Sequence, residues 1–174
     1  MNKINWQLII IHLIATFFVT TSSIQFGTLN DVGILELIDQ NGVKHLLQPL
    51  SKDDKFASRL ANFSLWSNLS TYFGLLLAVI ISIILTLKRN QYWLNALIVF
   101  AIALLLNGLG FFENKLVDTL FLAPGNLTEH WGPQYKFITN GILLAVAGFF
   151  TFFNRGIDKI TFNYQASERE SSVK

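Results

Sequence analysis

The 174-residue sequence contains no cysteine, three prolines and few charged residues, which make up 14% of the chain. The absence of cysteine excludes disulfides, thiolate metal sites, iron–sulfur clusters and cysteine nucleophiles. Soluble domains carry roughly 25% charged residues, whereas here hydrophobic residues reach 52%. A soluble fold of this length could not bury so much apolar surface. The sequence therefore predicts an integral membrane protein, with the lipid bilayer as its first partner.

A large excess of charge of one sign is also missing. The formal net charge is only +2, and no basic run is typical of phosphate contacts, so the composition argues against nucleic-acid binding. Phosphate-binding glycine loops, nucleophile elbows, and haem or zinc signatures are absent as well. We therefore expect no cofactor and no metal. The sequence weighs against an enzyme without deciding the question.

Four long apolar segments are present instead. Crossing the hydrocarbon core as a helix takes about 20 mostly apolar residues, and the predicted spans cover approximately residues 6–26, 69–87, 93–112 and 137–153. The first resembles a signal peptide, but we interpret it as a retained anchor because cleavage would leave three spans. The prediction is an all-α membrane protein, a four-transmembrane-helix bundle in a single domain over residues 1–174.

Lys88 and Arg89 indicate how this bundle is oriented. They lie in a loop of about six residues between the second and third spans, where basic residues mark the cytoplasmic side. Both termini are then cytoplasmic, with a cytoplasmic tail at 154–174 and outer loops at 27–68 and 113–136. Amphipathic aromatic rings prefer the headgroup level, and four tryptophans fall near the predicted boundaries. These residues and the two basic residues are the predicted interface anchors: Trp6, Trp66, Trp93, Trp131, Lys88 and Arg89.

The outer loops contain signals for local structure. Asn41-Gly42 between two apolar runs predicts a small β-hairpin over about 36–47, and a short interfacial helix is the alternative. Residues 49–63 predict an amphipathic helix that lies on the outer surface and continues into the second span. Residues 114–122 predict a second surface helix.

His12 is the ionisable residue placed deepest in a predicted span. It begins a stripe with Thr16, Thr20 and Ser23 along one helix face. As a functional group it would be a proton-relay residue or ligand. As a structural group it would be a neutral imidazole bonded across the bundle, and we favour this interpretation because no mid-depth carboxylate completes a relay.

Small residues recur at helical spacing in the other spans. Such residues allow close helix packing in lipid, so packing is favoured over the lining of a channel. Asn107 in the third span is either a structural hydrogen-bonding group or part of a ligand site. The face residues are Ser67, Thr71, Gly74, Ala78, Ser82 and Thr86 in the second span, Ala96, Ala103, Asn107 and Gly110 in the third, and Gly141, Ala145 and Gly148 in the fourth.

One group of ionisable residues lies near the outer membrane edge, namely Glu113, Asp118, Glu129 and His130. If these side chains and His45 converged, they would have the ingredients of a metal or acid–base site. They lack metal-ligand spacing, and solvated pairs are the favoured interpretation.

The segments "INWQLIIIHLIATFF" (4–18) and "LKRNQYWLNALIVF" (87–100) resemble small, uncharacterised four-span inner-membrane proteins of Bacteroidota-type bacteria. The resemblance implies a bacterial inner-membrane location and no particular activity. In size and helix count alone, the chain is also similar to the immunity proteins that protect bacteria from pore-forming toxins.

Three functions from different classes stay open. The leading hypothesis is a membrane protein that binds a partner protein, membrane or extracytoplasmic, or a lipid through its outer loops. The second is an oligomeric transporter or channel subunit for an ion or small solute, and a homo-oligomer is compatible with either. The third is a membrane enzyme that uses the outer carboxylate–histidine group.

Overall fold

The computed structural model describes residues 4–41, 54–113, 121–154 and 156, and of residues 39–41 and Glu113 it describes the backbone alone. The described part of the chain is helical and contains no strand, which confirms the predicted all-α class. Its α-helices are α1 (Trp6–Gly27), α2 (Val32–Asn41), α3 (Asp54–Lys88), α4 (Leu94–Gly108) and α5 (Pro133–Phe153). Short 3₁₀ helices cover Thr28–Asn30, Phe111–Glu113, Ala123–Leu127 and Glu129–Trp131.

Three of the described helices, α1, α3 and α5, are long and apolar enough to cross a membrane. With 22 and 21 residues, α1 and α5 each extend about 32 Å, close to the ~30 Å of a hydrocarbon core. α4 has only 15 residues and extends about 22 Å. Three of the predicted spans are thus candidate membrane spans by length and composition, and the predicted fourth span at 93–112 is not confirmed.

The helix boundaries have local causes. The side chain of Asn5 accepts a hydrogen bond from the Leu8 amide at 3.1 Å, which caps the start of α1. α3 ends at Lys88 because Asn90, two residues later, adopts the left-handed conformation (φ 53°) and allows the Gln91 amide to bond to the Thr86 carbonyl at 3.0 Å. α5 begins with Pro133, whose fixed φ suits the first helical position.

α3 is a single helix of 35 residues, about 52 Å long. It joins the predicted amphipathic surface helix to the predicted second span without a break, as the sequence indicated from residue 54 onward. The sequence has no proline between residues 50 and 123, so no proline interrupts α3. About 20 Å of α3 exceeds the thickness of a hydrocarbon core.

α1 is the central helix, and it packs along both α3 and α5 and more briefly against α4. The start of α1 meets the start of α4, where the Asn5 amide donates to Asn95 Oδ1 at 2.9 Å. The end of α3 meets the end of α5, where Arg89 donates to the Phe152 carbonyl at 3.0 Å. We call this the Arg89 end, and the opposite end of α1 the Asn30 end.

Small residues set the spacing of the helices, as predicted. A Cβ on Gly74 would lie 2.8 Å from the Thr20 Cα, and a Cβ on Gly148 would lie 2.7 Å from a methyl of Val19. Ala78 is fully buried between α1 and α3. Large side chains such as Phe73 and Phe150 are instead more than 60% exposed. Small residues inside and large apolar residues outside are typical of helices packed in lipid.

The predicted β-hairpin is not confirmed, because the residues of its first strand lie in α2. Asp31 caps this helix by accepting from the Ile34 amide at 3.1 Å, and Ile34 and Leu35 are buried. The short helix that was the alternative prediction therefore matches residues 32–41. The second predicted strand and most of the predicted surface helix at 114–122 lie outside the described residues.

Candidate functional site

Two parts of the bundle contain features beyond helix packing, and the first is a polar cluster at the Arg89 end. His12 is 1% exposed and faces α3. Its Nδ1 lies 2.8 Å from Ser82 Oγ and its Nε2 lies 3.2 Å from Arg89 Nη1. A guanidinium can only donate, so Nε2 accepts and Nδ1–H donates to Ser82. The geometry agrees with a neutral imidazole bonded across the bundle.

Arg89 joins three helices at this end. Its Nη2 donates to the Phe152 carbonyl in the last turn of α5, and the buried Phe152 ring packs edge-on against His12 with centroids 5.4 Å apart. The C-terminal ends of α3 and α5 both carry partial negative charge, which favours a cation here. Arg89 is half-buried and Lys88 is exposed, so only Lys88 resembles the simple interface anchor that the sequence predicted.

The contact between Arg89 and His12 was not predicted from the sequence, although the spacing of residues in α3 contains a signal for it. Ser82 and Arg89 are about two helical turns apart and therefore share a face of α3.

The role of Asn95 was also not predicted from the sequence. Asn95 is 1% exposed and holds the first residues of α1 through the amide of Asn5, and Gln91 lies 3.5 Å from the Asn5 side chain.

The second feature is an apolar groove of about 650 Å³ at the Asn30 end, between the last turn of α1 and the middle of α3. Ligand pockets in proteins typically measure roughly 300–1,000 Å³. We call it the Trp66 groove, and it is lined by Ser23, Phe26, Gly27, Leu29, Asn30, Trp66, Leu69, Ser70 and Phe73.

The serine hydroxyls and the Asn30 amide nitrogen that line the Trp66 groove are bonded within the protein. Ser23 Oγ donates to the Ser70 carbonyl at 2.7 Å, and Ser70 Oγ donates to the Ser67 carbonyl at 2.7 Å. Asn30 Nδ2 donates to the carbonyls of Gly27 and Phe63 at 2.6 and 3.3 Å. The groove therefore presents mainly hydrocarbon to an occupant.

An ion pair lies beyond the groove at the same end. Arg59 donates from Nε to Asp31 Oδ2 at 2.9 Å and from Nη2 to Asp31 Oδ1 at 2.7 Å. These hydrogen bonds from Arg59 hold the pKa of the Asp31 carboxyl below its usual value. Neither residue was singled out in the sequence, because their partnership depends on how α1 turns back toward α3.

The predicted outer group of ionisable residues is only partly described. Glu129 pairs with Lys136 at 2.8 Å, and His130 is exposed with its ring 5.0 Å from that of Trp131. The Glu113 side chain and Asp118 lie outside the described residues. Within the described ranges, no group of three or more potential metal ligands is found. Glu129 and His130 therefore have the solvated or paired surroundings that the sequence favoured.

The remaining predicted residues lie on or near the lipid-facing surface. Trp6 and Trp93 lie at the Arg89 end of the bundle. Trp66 and Trp131 lie nearer the Asn30 end. All four side chains are exposed. Asn107 is half-buried near the end of α4. The role of the four tryptophans as interface anchors stays a prediction.

Comparison of the chain with known proteins finds no similar protein. No protein-family model matches the chain, and neither a curated protein nor a solved structure is detectably similar to it. What the chain binds is therefore inferred from its own residues.

Proposed function

We propose that this chain is a bacterial inner-membrane protein that binds a membrane phospholipid, with one acyl chain in the Trp66 groove. The Arg89 end lies at the cytoplasmic surface, and the Asn30 end lies at the outer surface. The basic residues at 88 and 89 support this orientation. The short α4 completes the four-helix bundle beside the three long helices.

The observation that carries this proposal is the composition and position of the groove. Apart from Asn30, its exposed lining residues are apolar, namely Phe26, Trp66, Leu69 and Phe73. Its serine hydroxyls are bonded internally. Leu69 lies about 28 Å from Lys88 along α3, a distance that supports a groove in the outermost turns of the hydrocarbon region. An acyl chain is the apolar molecule present at that depth.

A transport path receives less support. Thr16 and Thr20 have buried hydroxyls without a partner, which would suit a polar path along α1. However, a Cβ on Gly74 would approach the Thr20 backbone to 2.8 Å, so α1 and α3 leave no space between them at that level. Loss of solute flux in a His12→Ala variant, in reconstituted vesicles, would favour transport instead.

Lipid retention by the purified full-length protein tests the proposal. We expect native mass spectrometry to detect a bound phospholipid, and we expect Leu69→Trp, which fills the groove, to remove it. Leu76→Trp is the matched control, since Leu76 lies about two turns along the same face of α3 and is 61% exposed outside the groove. Equal retention in both variants, or a protein segment in place of a lipid, would overturn the proposal.

A further inference from the structure

We infer that Asp31 and Arg59 form a headgroup site for a phospholipid that carries both a phosphate diester and a primary ammonium, as ethanolamine lipids do. The phosphate binds the guanidinium and the ammonium binds the carboxylate. This inference rests on the proposed binding of a lipid in the Trp66 groove.

The ion pair lies where a headgroup would follow from a lipid in that groove. Asp31 directly follows Asn30, which lines the groove. Arg59 lies about two helical turns, or about 10 Å, beyond Trp66 along α3. Asn30 also donates to the carbonyl of Phe63, one turn from Arg59. Along α3, the charged pair thus lies beyond the apolar groove on the side away from Arg89. In a phospholipid the headgroup lies beyond the acyl chain in the same way.

Selectivity for a lipid has to come from this charged region. An acyl chain that moves from the bilayer into the groove leaves one hydrocarbon environment for another, so the hydrophobic effect contributes little. Hydrogen bonds that involve ionised groups contribute more. A site that distinguishes one phospholipid from another must therefore contact the headgroup.

The ion pair retains unused donors and acceptors. A guanidinium has five N–H groups in a planar fork, and Asp31 takes Nε and Nη2 at one edge. Among the described residues no other partner of Arg59 is found, so the Nη1 edge can bind a phosphate. Asp31 Oδ1 accepts from Arg59 Nη2 and from the Ile34 amide, and Oδ2 accepts from Arg59 Nε. The Gly33 amide also donates to this carboxylate. The Asp31 side chain is 20% exposed, so an ammonium can approach the carboxylate as an ion pair.

The site is preorganised and electrically balanced. Asp31 is fixed by its role as the cap of α2, and the bidentate contact fixes Arg59. A rigid site loses less conformational freedom on binding than a flexible one. Because the pair has no net charge, it complements a zwitterionic headgroup. An anionic headgroup without an ammonium would bring its phosphate near the Asp31 carboxylate with nothing to compensate it.

Competition between lipids with matched acyl chains tests the inference on full-length protein in nanodiscs. We expect the wild type to retain ethanolamine lipids about tenfold more than glycerol lipids, since 1.4 kcal/mol corresponds to tenfold. Asp31→Asn leaves the Arg59 charge uncompensated, so the preference should shift toward the anionic glycerol lipid. Arg59→Gln should lower the retention of both. Lys136→Gln, which breaks the exposed pair with Glu129, is the control and should leave the preference unchanged.

The outcomes separate the two proposals. Groove-dependent lipid binding without a headgroup preference, or with a preference that Asp31→Asn does not alter, overturns the headgroup site alone. Equal retention of choline and ethanolamine lipids also overturns it, because a quaternary ammonium cannot donate to Asp31. Binding that Leu69→Trp does not reduce overturns the proposed function. Circular dichroism of each variant identifies any loss of the helical fold, and Arg59→Lys, which keeps the charge, should retain part of the preference if the variants fold.

Discussion

The imidazole of His12 accepts a hydrogen bond from the guanidinium of Arg89 at 3.2 Å, although the two residues are 77 positions apart in the chain. The contact joins the second turn of α1 to the last residues of α3. Through the Phe152 carbonyl the same guanidinium also reaches α5. One side chain therefore connects the three long helices at the Arg89 end.

Removing this connection should destabilise the bundle. Arg89→Ala leaves the buried His12 Nε2 and the Phe152 carbonyl without these donors, and an unsatisfied buried polar group costs about 1–3 kcal/mol. We expect the free energy of unfolding in detergent to fall by about 2 kcal/mol or more. Lys88→Ala, at an exposed neighbouring position, is the control and should have little effect. An equal, small loss in both variants would show that the Arg89 contacts contribute nothing to stability.

Glycine should be required at position 74 but not at position 108. A Cβ on Gly74 would meet the Thr20 backbone, whereas a Cβ on Gly108 meets nothing within 4 Å. We therefore expect Gly74→Ala to lower the unfolding midpoint because α1 and α3 must separate. Gly108→Ala should leave it unchanged or raise it slightly, since alanine favours helix by about 1 kcal/mol. A Gly74→Ala variant as stable as the wild type would be incompatible with the close approach of these helices.

The orientation can be measured without background because the chain has no cysteine. We expect Lys88→Cys to react with an impermeant maleimide in inverted membrane vesicles and not in right-side-out vesicles. Asn126→Cys, in the exposed segment after α4, should show the opposite pattern. Labelling of position 88 from the outer face would reverse the proposed orientation.

The Asp31–Arg59 pair predicts a specific dependence of stability on pH. Arg59 lowers the pKa of Asp31 in the folded protein, so the pair stabilises the fold above the unfolded pKa of about 3.9. That contribution is lost as the pH falls through the lower, folded pKa. We expect Asp31→Asn to be less stable than the wild type at pH 7, with the difference shrinking as the pH falls below about 4. A difference that stays constant with pH would exclude this ionised contact as its source.

Much of the architecture could be predicted because lipid imposes simple rules on sequence. Length and hydropathy predicted α1, α3 and α5, and the spacing of Gly74, Ala78 and Gly148 predicted the packing faces. α4 was predicted too long because hydropathy continues past Gly108, where the helix ends. The chain adopts 3₁₀ geometry at Phe111–Glu113, and apolar composition alone does not distinguish that turn from helix.

The features that carry the functional proposals were harder to predict because they join distant parts of the chain. Asn41-Gly42 favoured a hairpin, but the Asp31 cap and the burial of Ile34 and Leu35 favour helix in the residues before it. The partnership of Asp31 with Arg59 follows from the turn at Thr28–Asn30. The periodicity of the sequence does not indicate that Asp31 and Arg59 are partners. The Trp66 groove likewise exists only because α1 ends beside the middle of α3.

α3 has a further consequence for how the two membrane surfaces are related. One uninterrupted rod carries Arg59 near one extremity and ends beside Arg89 at the other. Such a rod tilts as a whole, so leaning its protruding part sideways also displaces its opposite tip. A displacement of the Arg59 end would thereby also move the Arg89 end, without a hinge or a second moving element.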